Sequence, residues 1–200
     1  MIKVIIFDWG NVICFFDVKG FNKKISAHLK VDESLFQKVE LKNRLKHDLG
    51  EITTKQFVEN ICNGISRKMS VDDYYSLATR FKHKKLNEQI IPIIKQLKKK
   101  YKIFLLSNSN KRMFEELMKS DIRFLFDKIL ISFQVGIKKP DKMFFDLLLK
   151  GTNYSFKDCL IVDDREDVCI AAKSYGMSSI TFRNNEQLKK EFSLHKIIID

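Results

Sequence analysis

Four short stretches of the sequence place reactive side chains at or near the ends of apolar runs. Asp8 closes IIFD and is followed by the small-residue corner WGNV; Ser107 and Asn108 close KIFLLSN; Lys139 stands in GIKKPD; Asp163 and Asp164 close CLIVDD. An aspartate carboxylate at a strand tip can act as a nucleophile. A serine hydroxyl and the backbone amides leading into a helix donate hydrogen bonds to an oxyanion, and a lysine ammonium is a compact positive charge for neutralising one. Two adjacent carboxylates at a buried strand end are costly unless a cation compensates them, and magnesium, a hard ion that takes oxygen ligands, is the economical choice. Each stretch also has a plain structural use. Asp8 suits a turn, SNSN suits a helix cap, and Asp163 with Asp164 suits an N-cap pair that Arg165 neutralises. Only if the fold gathers them does the chemical reading prevail.

The intervening elements decide that. Residues 2–7 (IKVIIF) are a β-branched apolar run, too short for a stable helix and ending at a glycine-containing turn, which is the pattern of a buried parallel strand. In the second half of the chain helices and strands alternate: helix NEQIIPIIKQLKKK, strand KIFLLSN, helix KRMFEELMKS, strand DKILISF, helix PDKMFFDLLLKG, strand CLIVDD, helix REDVCIAAKSYG and strand SSITF. Pro140 suits the first turn of its helix, and Gly151 and Gly176 suit the ends of theirs. The alternation specifies an α/β fold, a Rossmann-like parallel sheet with helices on both faces. Ligands of such sheets bind beyond the carboxyl ends of the strands, where Asp8, Ser107, Asn108, Asp163 and Asp164 all fall.

Residues 15–85 differ in character. FNKKISAHLK, ESLFQKVELKNRL, TKQFVENICNGI and VDDYYSLATRFKH carry apolar residues at helical spacing, and no convincing strand interrupts them. Thr53 or Thr54 caps the third segment, and Ser70 with Asp73 resembles a capping box for the fourth. The chain therefore divides into an α/β core of residues 1–14 and 86–200 and an inserted helical bundle of residues 15–85.

Composition narrows the function classes. With 200 residues, 44% of them hydrophobic, the chain can bury a substantial core. The start MIKVIIFDWG lacks the long apolar region and cleavage site of a signal peptide, and no apolar stretch approaches the ~20 residues that cross a bilayer. A cytoplasmic protein with no membrane association is expected. Cys14, Cys62, Cys159 and Cys169 form no CxxC pair, so reduced thiols are expected rather than disulfides or zinc. The net charge of +12 is spread over stretches such as KQLKKK (95–100) and NKK (22–24), the pattern of solvated helix faces, so nucleic acid is not the expected partner. A positive field also draws in phosphorylated metabolites.

In order and spacing, Asp8 with WGNV, the LLSN strand end, the lysine before Pro140 and the VDD strand end resemble the four motifs of the haloacid dehalogenase superfamily. The helical segment after the first strand resembles its inserted cap domain. DWGNV, GEIT, SNSN and GIKKP look most like its bacterial sugar-phosphate phosphatase branch, which includes glucose-1-phosphate phosphatase. The resemblance covers essentially the whole chain. It implies a magnesium-dependent phosphatase of small phosphorylated metabolites that works through an aspartyl-phosphate on Asp8. Ser107 and Asn108 would contact the phosphoryl group, and Lys139, rather than the solvated Lys138, would neutralise it. Asp8, the backbone carbonyl of Gly10, Asp164 and Asp163 would hold magnesium, with Asp167 adding charge from one helical turn further on.

One position departs from that pattern. Most phosphatases of the superfamily carry a second aspartate two residues after the nucleophile, where this sequence has Gly10. The backbone carbonyl survives the change, but a general acid and base worth ~10²–10⁴-fold in rate is missing. Three readings stay open: a phosphatase for esters with a good leaving group or with another proton carrier, a dehalogenase-type hydrolase, and a phosphate-binding relative without catalysis. Asp17 is a candidate for the missing acid as well as for a helix start. Trp9 and Phe15 are candidates for pocket lining as well as for packing.

Overall fold

Alternation along the strands builds two cores, one on each side of a single sheet. Val4 and Ile6 of β1 (Val4–Phe7) enter one cluster with Phe104, Leu106, Cys159 and Ile161. Ile5 and Phe7 enter the other with Ile103, Leu105, Leu160 and Val162. All four β1 side chains are fully buried, as expected for a strand covered on both faces.

The computed structural model describes residues 1–81 and 84–198. After β1 come β2 (Cys14–Phe16) and the helices α1 (Val18–Leu29), α2 (Glu33–Asp48), α3 (Thr54–Gly64) and α4 (Val71–Phe81), then β3 (Lys84–Leu86). The remainder runs α5 (Ile90–Leu97), β4 (Lys102–Ser107), α6 (Lys111–Met118), β5 (Lys128–Ile131), α7 (Lys142–Leu149), β6 (Cys159–Asp163), α8 (Glu166–Ser174), β7 (Ser178–Thr181) and α9 (Asn185–Leu194). Five strands form one parallel sheet in the order β5-β4-β1-β6-β7. Helices α5, α6 and α9 supply apolar side chains to the Ile5/Phe7 face, and α7 and α8 to the Val4/Ile6 face. The expected α/β architecture is therefore present.

Helices α1 to α4 have a cluster of their own, with Phe21, Ile25, Phe36, Phe57, Ile61 and Tyr74 at its centre. Of the two threonines, Thr53 caps α3 and closes a capping box with Gln56. Ser70 and Asp73 exchange the expected bonds before α4, at 2.7 and 3.0 Å. Lys82 and His83, at the end of the fourth segment, lie outside the described residues.

The structure corrects four local expectations. The helical module is entered and left through two strands, β2 and β3, which pair antiparallel where no strand was anticipated. Three residues are too few for alternation to show. The helix expected over 87–100 is confined to Ile90–Leu97, because Asn87 is buried and donates to the Val12 carbonyl at 2.8 Å. Pro140 precedes its helix instead of starting it: the Lys139–Pro140 peptide is cis, and Asp141 caps α7 by accepting from the Met143 amide. Helix α9, capped by Asn184, follows the last expected strand. Gly151 and Gly176 do stand past the ends of α7 and α8, with φ of 76° and 94°. All four cysteines are free buried thiols, and none of the described helices is long and apolar enough to cross a membrane.

Candidate active site

Parallel register brings the candidate residues to one edge. Phe7 pairs with Leu105 on one side and Val162 on the other, so Asp8, Ser107 and Asp163 leave neighbouring strands at the same end of the sheet. The Asp8 amide continues the ladder by donating to the Val162 carbonyl at 2.9 Å. A cavity of about 700 Å³ opens above this edge, and Asp8, Gly10, Ser107, Asn108, Lys139 and Asp164 all line it. A larger basin of about 1210 Å³ lies at the opposite end of the strands, rimmed by lysines such as Lys3, Lys98 and Lys99. Among the described residues Asp127 is the one carboxylate that lines it, whereas the smaller cavity gathers the candidate side chains.

Lys139 is the centre of the site. It is 2% exposed, and its Nζ donates to Asp8 Oδ1 at 2.6 Å and to Asp163 Oδ2 at 2.5 Å. Asn108 fixes its backbone from both sides, accepting from the Lys139 amide at 2.8 Å and donating to the Lys139 carbonyl at 2.9 Å. The Asn108 side chain is thus engaged with Lys139, and the residue lines the cavity as well. Burial lowers the basicity of the lysine, but Asp163 and Asp8 outweigh it and hold the ammonium above its ordinary range.

Among the described residues, Asp8, Asp163 and Asp164 are the one group of carboxylates close enough to share a metal ion, with ligand oxygens within 4.8 Å of one another. Burial pushes the Asp8 carboxyl up to about 6; Lys139 opposes that push, and Asp163 and then Asp164 add to it. One ammonium for three carboxylates leaves the cluster short of positive charge, and oxygen donors so arranged suit a hard divalent cation. The members differ in availability. Asp163 already spends one oxygen on Lys139 and the other on the Arg165 amide at 3.0 Å. Asp164 accepts from Asn11 Nδ2 at 2.9 Å and lines the open cavity.

Other expected side chains lie elsewhere. The Arg165 guanidinium, at the edge of the cavity, pairs with exposed Asp167 and not with the acid pair. Asp17 caps α1 by accepting from the Gly20 amide at 2.8 Å, and it does not line the cavity. Trp9 does line it, whereas Phe15 is exposed and its neighbour Phe16 takes the pocket position. Lys138 is half-buried and stands outside the cavity. The Ser109 amide, one of those expected to face the phosphoryl group, donates to Ser132 Oγ at 2.9 Å.

The upper wall was not legible in advance. Arg44, Asp48, Tyr75 and Thr79 come from α2 and α4, and Arg112 and Glu116 from α6. Arg112 lies over the Tyr75 ring at 3.9 Å, and Glu116 binds Lys84 at 2.9 Å and Arg112 at 3.3 Å. Burial raises the Glu116 carboxyl, but these two cations outweigh it and hold the group below its ordinary range. Helical spacing does not separate such residues from exposed ones. Asn11 had a local signal: it takes φ of 53°, a conformation that asparagine tolerates better than most residues.

Comparison with known proteins bears on the whole arrangement. A family model described as "Hydrolase: haloacid dehalogenase-like hydrolase" matches residues 2–176. D-ribitol-5-phosphate phosphatase of Bacteroides thetaiotaomicron is 23% identical over 97% of this chain and 98% of its own. A 93-residue segment, 46% of this chain, is 37% identical to drimenol cyclase of Aspergillus calidoustus and spans 18% of that longer protein. The crystal structure of a haloacid dehalogenase-family enzyme from B. thetaiotaomicron, in complex with magnesium and inorganic phosphate, superposes with a TM-score of 0.80 at 22% identity, covering 96% of this chain and 100% of the other.

Proposed function

Because the chain belongs to the haloacid dehalogenase-like hydrolases, we propose that it is a magnesium-dependent phosphatase of small phosphorylated metabolites, with Asp8 as its nucleophile. The observation that carries this reading is the buried Lys139 ammonium held between Asp8 and Asp163 at the floor of an open cavity. An Asp8 oxygen attacks phosphorus, the bond from phosphorus to the ester oxygen breaks, and an aspartyl-phosphate forms that water then hydrolyses. Lys139 offsets the repulsion between carboxylate and phosphoryl oxygens, and the Ser107 hydroxyl donates to one of those oxygens. Asp8, Asp164, Asp163 and the Gly10 carbonyl would hold magnesium, which supplies positive charge against the transferring group. The helical module, with Arg44, Asp48, Tyr75 and Thr79 facing the cavity, acts as the cap and excludes water from the site.

The upper wall favours a polyhydroxy leaving group. It mixes the cations Arg44, Lys84 and Arg112 with the acids Asp48 and Glu116, and adds the hydroxyls of Tyr75 and Thr79. Alternating donors and acceptors of this kind match sugar or polyol hydroxyls better than a second anion. D-ribitol-5-phosphate phosphatase, a relative matched over 98% of its length, bears the name of that substrate class. A haloacid substrate fits less well, because displacement of halide gives no use to a carboxylate cluster suited to a cation.

A panel of phosphate esters assayed with and without magnesium tests the proposal. Turnover of sugar or polyol phosphates that disappears with EDTA and returns with added magnesium is the expected result. Metal-independent turnover, or chloride release from 2-chloropropionate in its place, would overturn it.

Gly10 makes a second prediction. A Cβ built there meets only Asp8 Oδ2, at 3.7 Å, an ordinary contact. Gly10→Asp therefore fits the backbone and restores a carboxylate that can protonate a departing alkoxide. For alkyl phosphates, kcat should rise about 10- to 100-fold, because a poor leaving group gains most from general acid catalysis. For p-nitrophenyl phosphate, whose leaving group needs no proton, it should barely change. Equal effects on the two ester types would refute the assignment.

A further inference from the structure

The helical module joins the core through β2 and β3, yet it is also held at a third place. Ser132, just after β5, is completely buried, and its Oγ meets three backbone groups. It accepts from the Ser109 amide at 2.9 Å, donates to the Asp48 carbonyl at 2.5 Å and lies 3.1 Å from the Ser109 carbonyl. Ser109 belongs to the loop that follows Ser107, the end of β4, and leads through Asn108 into α6, and Asp48 is the last residue of α2 in the module. Asn110 makes a parallel link: its Oδ1 caps α6 through the Met113 amide, and its Nδ2 donates to Asp48 Oδ1 at 3.0 Å. Gly50 closes the contact, with φ of +72° and a position at which a Cβ would stand 2.7 Å from the Phe133 carbonyl oxygen.

A second contact between the module and α6 is of another kind. There the Arg112 guanidinium rests on the Tyr75 ring, a contact between two long, half-buried side chains. The first contact is made by a fully buried hydroxyl that loses its partners if module and core separate, the second by half-buried side chains that water can replace.

We propose that Ser132 is a positioning residue: its hydroxyl pins the end of α2 to the loop that follows Ser107, and so holds the module in one position over the core. The inference rests on the reading of the module as a cap. Through the anchor, the loop that follows Ser107 and the wall that faces the leaving group keep one register, and a misplacement of about 1 Å in such a pair costs up to 10²-fold in rate.

The test combines turnover with distances between spin labels at exposed Lys55, in α3, and exposed Lys189, in α9. Wild type should give one narrow distance distribution. Ser132→Ala should broaden it and lower kcat about 10-fold or more. Ser132→Thr, which keeps the hydroxyl, should restore both readouts, a rescue that lost packing alone would not show. Gly50→Ala, which disturbs the same contact from the module side, should reproduce the Ser132→Ala result and replaces it if that variant does not fold. A wild-type distance distribution in these variants, or unchanged kcat with only a lower Tm, would overturn the anchor. The distances need no turnover, so a wild-type protein that hydrolyses no ester would sink the phosphatase reading and leave the distances to decide the anchor.

Discussion

Asp8→Asn is expected to abolish phosphate release from p-nitrophenyl phosphate, a loss of about 10⁴-fold or more, while the protein stays folded. The amide has the shape of the carboxylate but is too weak a nucleophile to bond to phosphorus, and no other residue on the cavity floor is placed to take over. Asp163 commits both oxygens to Lys139 and the Arg165 amide, and Asp164 stands on the next residue, bound to Asn11. Stability should not fall with activity. Burial already pushes the Asp8 carboxyl up to about 6 against the pull of Lys139, so in the absence of a cation the site favours a neutral group there. Steady-state assays with thermal melts in EDTA check both halves. Wild-type turnover in the variant would remove Asp8 from the mechanism.

Lys139→Met should damage fold and function together. The side chain is 2% exposed between two buried carboxylates, and deleting the ammonium leaves Asp8 and Asp163 without their shared partner. Removing one member of a buried ion pair costs about 3–5 kcal/mol, enough to lower a denaturation midpoint visibly. Lys139→Arg separates charge from geometry. Contacts of 2.6 and 2.5 Å enclose a compact ammonium, and a planar guanidinium cannot occupy the same point without displacing Asp8 or Asp163. Activity should therefore fall at least about 10²-fold although the positive charge remains. An arginine variant with wild-type kcat would mean that charge alone, not the placed ammonium, is what the reaction needs.

The residues on the floor of the site were legible because strand ends are local features. An apolar run that stops at an acid or at Ser-Asn announces both a strand and what it carries, and parallel pairing puts every such tip on one edge. Lys139 was legible as a charge but not as a bridge, because nothing near GIKKPD indicates that Asn108 will clamp its backbone from 31 residues away. Arg165 follows Asp163 and Asp164 directly in sequence, yet its guanidinium pairs with Asp167. Asp17 takes the helix-start role weighed for it beside that of the missing acid.

The α/β alternation, the run of helices after the first strand and the candidate residues at the strand tips could be read from the sequence because they follow from short-range periodicity and capping, and the order of the motifs carried the family resemblance. Tertiary structure alone decided which hydroxyl ties the module to the core, which helix faces wall the cavity, and that β2 and β3 form the neck between them. Those contacts join residues such as Asp48 and Ser132, 84 positions apart. Each partner is an ordinary polar residue in its own stretch, and only the packing of α2 against the core makes it more than that.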